Sequence, residues 1–335
     1  MNTKTGRRFT ATFALSALFL IPAVLSGQLT CGSTVSADVV LTEDLTCNSG
    51  PGLIADADGI TIDLAGKSIS CIGSYLSCQG NTSAVGIDVG NTSGVTIKGP
   101  GTIYGFDTGI KLSGTAKASI ASLTISGPQS NSTLYTHRGT ATGILVENVS
   151  CPGAILIDGN DVSWHRYGIR LVSAACVKIQ RNMVYANNND GAESFGILLV
   201  DSSGNTLTNN TVTNNGFHNT YLYPDAGLFD AGIALEGSGT TGNRIAQNTV
   251  ESNCGDGVAA RASAAGNTIS NNTVRQNPIQ GQGAYTSCSW PYPAPAVIIN
   301  YDLAARDSAV ENRWSKTNDC NTYLGIISGI CKAGE

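Results

Sequence analysis

The chain has 335 residues, a formal net charge of −5, only 13% charged residues and 40 glycines. That balance excludes the basic face that nucleic acid rewards. A charge-poor composition rich in Asn, Ser and Thr is shared with disordered chains, but regularly spaced Ile, Val and Leu argue for a packed core.

The start of the chain reads as a secretory signal peptide over residues 1–27. Lys4, Arg7 and Arg8 precede an apolar run, Phe13 to Leu25, too short for a comfortable membrane span, and small residues follow at Ser26-Gly27. A lipoprotein reading of Cys31 is disfavoured by Thr30 before it. Without that segment 16 Lys+Arg face 24 Asp+Glu, about −8. All ten cysteines lie after it, as disulfides in an oxidising compartment would. The close pairs are Cys31/Cys47, Cys71/Cys78, Cys151/Cys176 and Cys320/Cys331, which leaves Cys254 with Cys288. No CxxC or zinc-like Cys/His spacing occurs.

From there the chain repeats one phrase. A Gly-Ile-like strand start recurs at Gly86-Ile87, Gly109-Ile110, Gly143-Ile144, Gly168-Ile169, Gly196-Ile197, Gly232-Ile233, Gly257-Val258 and Ala296-Val297. A corner before a short strand recurs at Gly101, Leu123, Asn160, Asn182, Asn210, Asn248, Asn272 and Asn312, with a third strand between, as in Val177-Lys-Ile179. Period-two alternation turns Ile169 and Leu171 inward and Arg170 outward. Three short strands per coil predict an all-β parallel β-helix of about 9–10 coils, stacked about 4.8 Å apart. The corner asparagines are expected to be structural, because Asn tolerates left-handed backbone angles and can stack its amide on the next coil. Residues 28–335 read as one domain, with an N-terminal cap at 28–51, coils at 52–314 and a C-terminal cap at 315–335 tied by disulfides.

Insertions are unevenly placed. From each Gly-Ile anchor to the following corner the gap is 14 to 17 residues, whereas from corner to the next anchor it runs from 8 to 24. Extra loops therefore stack on one edge of the scaffold, where function is expected.

The repeat, over roughly Gly52 to Trp314, resembles the right-handed parallel β-helix (pectin lyase-like) superfamily of pectate lyases, polysaccharide lyases and alginate C5-epimerases. The resemblance implies a substrate groove on the outer face of the first strand, here Lys111, Leu145, Arg170, Leu198 and Ala234, walled by the variable loops. Tyr104-Gly105-Phe106-Asp107 resembles the start of an epimerase motif, Tyr-Gly-Phe-Asp-Pro-His. Here Thr108-Gly109 stand in place of Pro-His, so the family's catalytic His is missing there. The Asp pairs and Gly-His-Gly of polygalacturonase-like hydrolases are absent too.

The only histidines, His137, His165 and His218, all fall in corner-to-anchor loops. With Arg170, Arg166 and Tyr167 they form the expected catalytic set, because β-elimination or C5-epimerisation of a uronate needs a base, an acid and a cation for the carboxylate. His165 and Arg170 are assigned proton transfer, so replacing either by Ala is expected to abolish turnover without unfolding the chain. Lys111, Arg138, Glu147, Tyr221, Tyr223 and Trp290 are the expected substrate contacts, Trp290 lying with Tyr285 and Tyr292 in an expected flap. Glu147 could equally form a surface ion pair with Arg170. Asp190, Glu193, Asp225 and Asp230 are candidate ligands for Ca²⁺, which takes oxygen donors. The expectation is a secreted, extracellular or periplasmic, monomeric protein. It would act on an acidic polysaccharide by lyase or epimerase chemistry, with no nucleic-acid or membrane partner. The alternatives are a non-catalytic glycan- or partner-binding β-helix and a glycoside hydrolase, whose two carboxylates the same acidic residues could supply.

Overall fold

Alternation along each short strand becomes three parallel sheets wound into one coil. The computed structural model describes residues 29–74, 77–78, 81–127, 141–187, 193–216, 230–277, 303–305, 312–314, 318–320 and 323–324. Among these the first sheet has 11 strands, from Ser33–Val35 to Tyr323–Leu324, and the second and third have 10 each. Every pairing is parallel and joins one coil to the next, so that Ile110 aligns with Ile87 on one side and Ile144 on the other. The expected parallel β-helix is therefore present.

Inward side chains stack in files. In one coil Ile169, Leu171, Ile179 and Val184 are all 0% exposed. Each such aliphatic side chain contributes about 1.5–3 kcal/mol of burial, so the files supply the main cohesion of the fold. Three of the expected disulfides are formed: Cys31–Cys47, Cys71–Cys78 and Cys151–Cys176. Cys254 is disulfide-bonded too. The expected pairs Cys254/Cys288 and Cys320/Cys331 each involve a residue outside the described set.

The coil runs further than the sequence suggests. Residues 28–51, expected as a cap, supply the first strand of each sheet at Ser33–Val35, Val39–Val40 and Leu45–Cys47. At the other end Asp319–Cys320 and Tyr323–Leu324 extend the third and first sheets. Val35, Val39 and Cys47 occupy core positions like those of later coils, which is why pairing extends to them. Residues 128–140, 188–192, 217–229 and 278–302 lie outside the described set. All four stretches fall where the chain returns from the third sheet to the first, the corner expected to carry the insertions.

Corners are held by three files of asparagine amides. One file runs Asn160, Asn182, Asn210, Asn248, Asn272 and Asn318. A second runs Asn187, Asn215, Asn253 and Asn277, and a third Asn205, Asn243, Asn267 and Asn312. Each amide touches three coils. Asn210 Nδ2 donates to the Ile179 carbonyl at 3.0 Å and to Asn248 Oδ1 at 2.9 Å, while its Oδ1 accepts from the backbone N–H of Asn182 at 3.0 Å. The expected left-handed turn is displaced by one residue. Arg181, Asn209, Gln247 and Asn271, just before the first-file asparagines, carry φ of 56° to 59°. The asparagine itself spends its amide on the neighbouring coils.

The glycine of each Gly-Ile anchor has a steric cause. A methyl group at Gly168 would lie 2.5 Å from Val184 Cγ1, 2.6 Å from the Gly196 carbonyl oxygen and 2.8 Å from Asn187 Nδ2. Gly196 and Gly232 meet the same three kinds of neighbour. Replacing Asn210 by Ala orphans a buried backbone N–H and a buried carbonyl at about 1–3 kcal/mol each. The expected outcome is a loss of at least about 3 kcal/mol, seen as a lowered thermal midpoint by circular dichroism, whereas Thr211→Ser on the outward side leaves the midpoint nearly unchanged.

Candidate functional site

Register on the first sheet fixes what faces outward. The central outward file reads Ile54, Asp88, Lys111, Leu145, Arg170, Leu198, Ala234 and Ala259. One flanking file contains Thr142, Tyr167, Phe195, Ala231 and Asp256, and the other Glu147, Val172, Val200, Glu236 and Arg261.

The face is open only in part. Ile54, Asp88, Lys111, Leu145 and Arg170 are half-buried, whereas Leu198, Ala234 and Ala259 are 3%, 0% and 3% exposed. With Tyr167, Phe195 and Ala231 they form a second apolar cluster, separate from the core. This corrects the expected groove, which would have continued along Leu198 and Ala234. Arg261 crosses the sheet in this stretch. Its guanidinium donates to Glu193 Oε1 and Oε2 at 3.1 and 2.8 Å, and its Nε donates to Glu236 Oε1 at 2.7 Å. Glu193 precedes the flanking file on one side and Arg261 lies in the file on the other, so this bridge crosses the sheet.

Cations and rings gather where the open stretch ends. Tyr167 and Phe195 stack at 6.0 Å between centroids, 7° from parallel. The Arg166 and Arg170 guanidiniums lie 4.8 and 4.9 Å from the Tyr167 ring centre, and Arg261 lies 5.3 Å from that of Phe195. Arg166 Nε donates to the Glu193 carbonyl at 2.9 Å. Among the described residues Arg170 makes no ion pair, and its buried Nε has no hydrogen-bond partner. Further along, Glu147 pairs with Lys111 at 2.9 Å rather than with Arg170.

Protonation follows burial. Burial raises the Tyr167 hydroxyl above its usual range, against the pull of Arg166 and Arg170, so it stays protonated at neutral pH. Burial also raises Glu236, opposed by Arg261, and raises Asp88, opposed by Lys111 and reinforced by Glu147. Asp230 is pushed up to about 7, first by burial and then by Glu193, while the Ser194 backbone N–H donates to it at 2.7 Å.

His165 does not line the open face. It is 2% exposed, and its backbone N–H donates to Asn187 Oδ1 at 3.1 Å, so it stands at the head of the second asparagine file. Its Nδ1 lies 3.2 Å from a methyl built on Gly143, the place that Asn187 Nδ2 takes beside Gly168. The sequence carried a signal for this. His165 follows Asn160 by five residues, as Asn187 follows Asn182 and Asn215 follows Asn210. Phe106 of Tyr104-Gly105-Phe106-Asp107 is likewise 1% exposed, and a methyl at Gly86 would lie 3.3 Å from its ring, so that stretch is a corner filler here.

Of the expected metal ligands, Glu193 uses both oxygens on Arg261 and Asp230 is 6% exposed. No group of three or more metal-ligating side chains occurs among the described residues. His137, Arg138, Asp190, His218, Tyr221, Tyr223, Asp225, Tyr285, Trp290 and Tyr292 lie outside the described set. Arg261 and Glu236 were not anticipated, because their outward positions show no pattern that names a partner 68 residues away.

A family model described as "Right handed beta helix region" matches residues 85–290. No curated protein matches the chain. Among solved structures, the periplasmic alginate epimerase AlgG is similar over 90% of this chain and 68% of its own, at 12% identity and a TM-score of 0.51. A variant of that epimerase gives 87% and 64%, so this chain spans just under two thirds of its length. Pectate lyase Pel9A is similar over 88% of this chain and 80% of its own, at 11% identity and a TM-score of 0.46.

Two outcomes test these placements. His165→Asn is expected to keep the melting temperature near that of the wild type by continuing the amide file, whereas His165→Ala lowers stability by about 2 kcal/mol. Asp230 binds a proton in the folded protein up to pH about 7, whereas its usual value is 3.8. Its contribution to stability is therefore full at pH 4 and falls as pH rises to about 7. Asp230→Asn keeps an acceptor for Ser194 and removes that fall. Denaturant titrations should show the variant level with wild type at pH 4 and more stable at pH 8, by up to about 4 kcal/mol for three units.

Proposed function

The chain belongs to the right-handed β-helix family, and from that premise we propose that it acts on an acidic, uronate-bearing polysaccharide by lyase or C5-epimerase chemistry. The observation that carries the reading is Arg170, a half-buried guanidinium in the outward file with no ion pair among the described residues. A cation placed there before substrate arrives loses no carboxylate partner when it takes one. Neutralising a uronate carboxylate acidifies the proton at C5, the step shared by elimination and epimerisation. The protonated Tyr167 hydroxyl is on hand as the acid, and Lys111 provides a second cation along the same file. The base falls to His137 or His218, since His165 is enclosed in a corner. Glu193 is tied to Arg261 by both oxygens and Asp230 is buried with its Oδ1 on the Ser194 N–H, so no step is assigned to calcium. The disulfides suit an extracellular or periplasmic setting.

The enclosure of His165 also favours a second reading, a non-catalytic protein that binds acidic glycan on the same face. Proton NMR in D₂O over a panel of uronate and neutral polysaccharides separates the two. Vinyl signals mean a lyase and deuterium at C5 without cleavage means an epimerase, while new reducing ends alone would mean a hydrolase. Arg170→Ala is expected to lower turnover at least about 100-fold, near 3 kcal/mol of lost transition-state stabilisation, with an unchanged melting curve. Full activity in that variant overturns the assignment; uronan binding without any product moves the protein to the second reading.

A further inference from the structure

We infer that the open face takes the end of an acidic polysaccharide chain rather than its interior; this rests on the uronate reading above. The central outward file is open from Ile54 to Arg170 and closed from Leu198 onward, where Leu198, Ala234 and Ala259 are 3%, 0% and 3% exposed. A linear polysaccharide lying along the coil axis has to leave the sheet at that boundary.

One part of the stop is a bridge of described side chains. Arg261 is 8% exposed and is held from both edges of the sheet, by two bonds to Glu193 and one to Glu236, with its guanidinium against Phe195. In the central file Leu198, Ala234 and Ala259 occupy the three coils that the bridge joins. Moving one partner of this part-buried bridge would leave a charge without its partner, so an arriving sugar meets resistance there.

Chemistry at the stop suits a terminus. Arg170 is the last open position of the file, and its guanidinium rests on the Tyr167 ring, which stacks on Phe195 inside the closed cluster. An unpaired cation and an aromatic edge at the end of a track provide a carboxylate contact and an apolar surface for one terminal uronate ring. Asp88, Lys111 and Leu145 then follow along the coil for the next rings, with Glu147 screening Lys111 at 2.9 Å.

The test counts protein molecules bound per uronan chain by isothermal titration, using fractions of increasing mean length that are re-sized afterwards to confirm that their length is unchanged. One molecule per chain at every length is the expected result. A number rising in proportion to length overturns the inference while leaving the uronate reading intact. No uronan binding at any length overturns that reading itself. The triple variant Arg261→Met with Glu193→Gln and Glu236→Gln removes the bridge without leaving either carboxylate charged and unpaired. Its fold is checked by its melting curve, with Arg261→Lys as the milder alternative if it does not fold. With the bridge gone, the number bound should rise with length. A folded variant that still binds one molecule per chain overturns the bridge as the stop.

Discussion

Everything in this molecule depends on repeating one coil at the spacing of paired strands. At about 4.8 Å per coil, side chains of successive coils sit directly on one another, so whatever fills a position must be compatible with its own kind above and below. Aliphatic side chains meet this demand in the strands. At the corners the chain turns sharply and its backbone N–H and C=O groups would be buried without partners. The asparagine amide solves that problem, donating to a carbonyl of the coil before and accepting from a backbone N–H of its neighbour. Left-handed residues such as Arg181, Asn209 and Gln247 are tolerated beside it because the amide file holds the corner closed.

The same constraint separates scaffold from function. Inward positions and corners are dictated by stacking, which is why Gly168, Gly196 and Gly232 meet the same kinds of neighbour. Outward positions on the first sheet escape it. Their sequence runs Asp, Lys, Leu, Arg, Leu, Ala, Ala along the central file from Asp88 to Ala259, with no stacking logic. Charge in that file, and the rings of Tyr167 and Phe195 beside it, therefore are not dictated by how the coil is made. The contrast between the two halves, one with an unpaired Arg170 and one crossed by a paired Arg261, has no counterpart in the core.

Much of the scaffold was readable from residues alone. The Gly-Ile anchors through Gly257-Val258, the middle asparagine file from Asn160 to Asn272 and the three formed disulfides follow from local spacing; in the last coil Leu303, not Val297, pairs with Val258, and Asn318 rather than Asn312 continues the middle file, Asn312 standing in the third. The other two files were present as asparagines five residues either side of the first, as in Asn205, Asn210 and Asn215, but one file suffices to predict a coil and the rest passed as loop composition. His165 was misjudged for that reason. A histidine in a polar loop suggests chemistry, and only its five-residue offset from Asn160 marks it as a corner. Arg170 was placed outward correctly by alternation, whereas Tyr167, which shares the parity of inward Ile169, was read as a loop residue and reaches the outer face because Gly168 breaks the alternation. Their surroundings were not visible, because alternation gives the side of the sheet on which a residue lies and says nothing about what crosses that side.

The bridge from Glu193 to Arg261 is the limiting case of that blindness, and it also explains why likeness of fold says little about activity here. Two β-helices can share every sheet and corner and yet differ in whether one arginine lies flat across the outward face. That difference requires no change in the coil. It requires small residues in one file, a long cation in the next and two carboxylates to hold it, four or five side chains in all. Such a device is invisible to any comparison built on the backbone, and it changes which part of the sheet lies open. In a solenoid, where the scaffold leaves its outer face unconstrained, specificity therefore resides in contacts between coils that are distant in sequence.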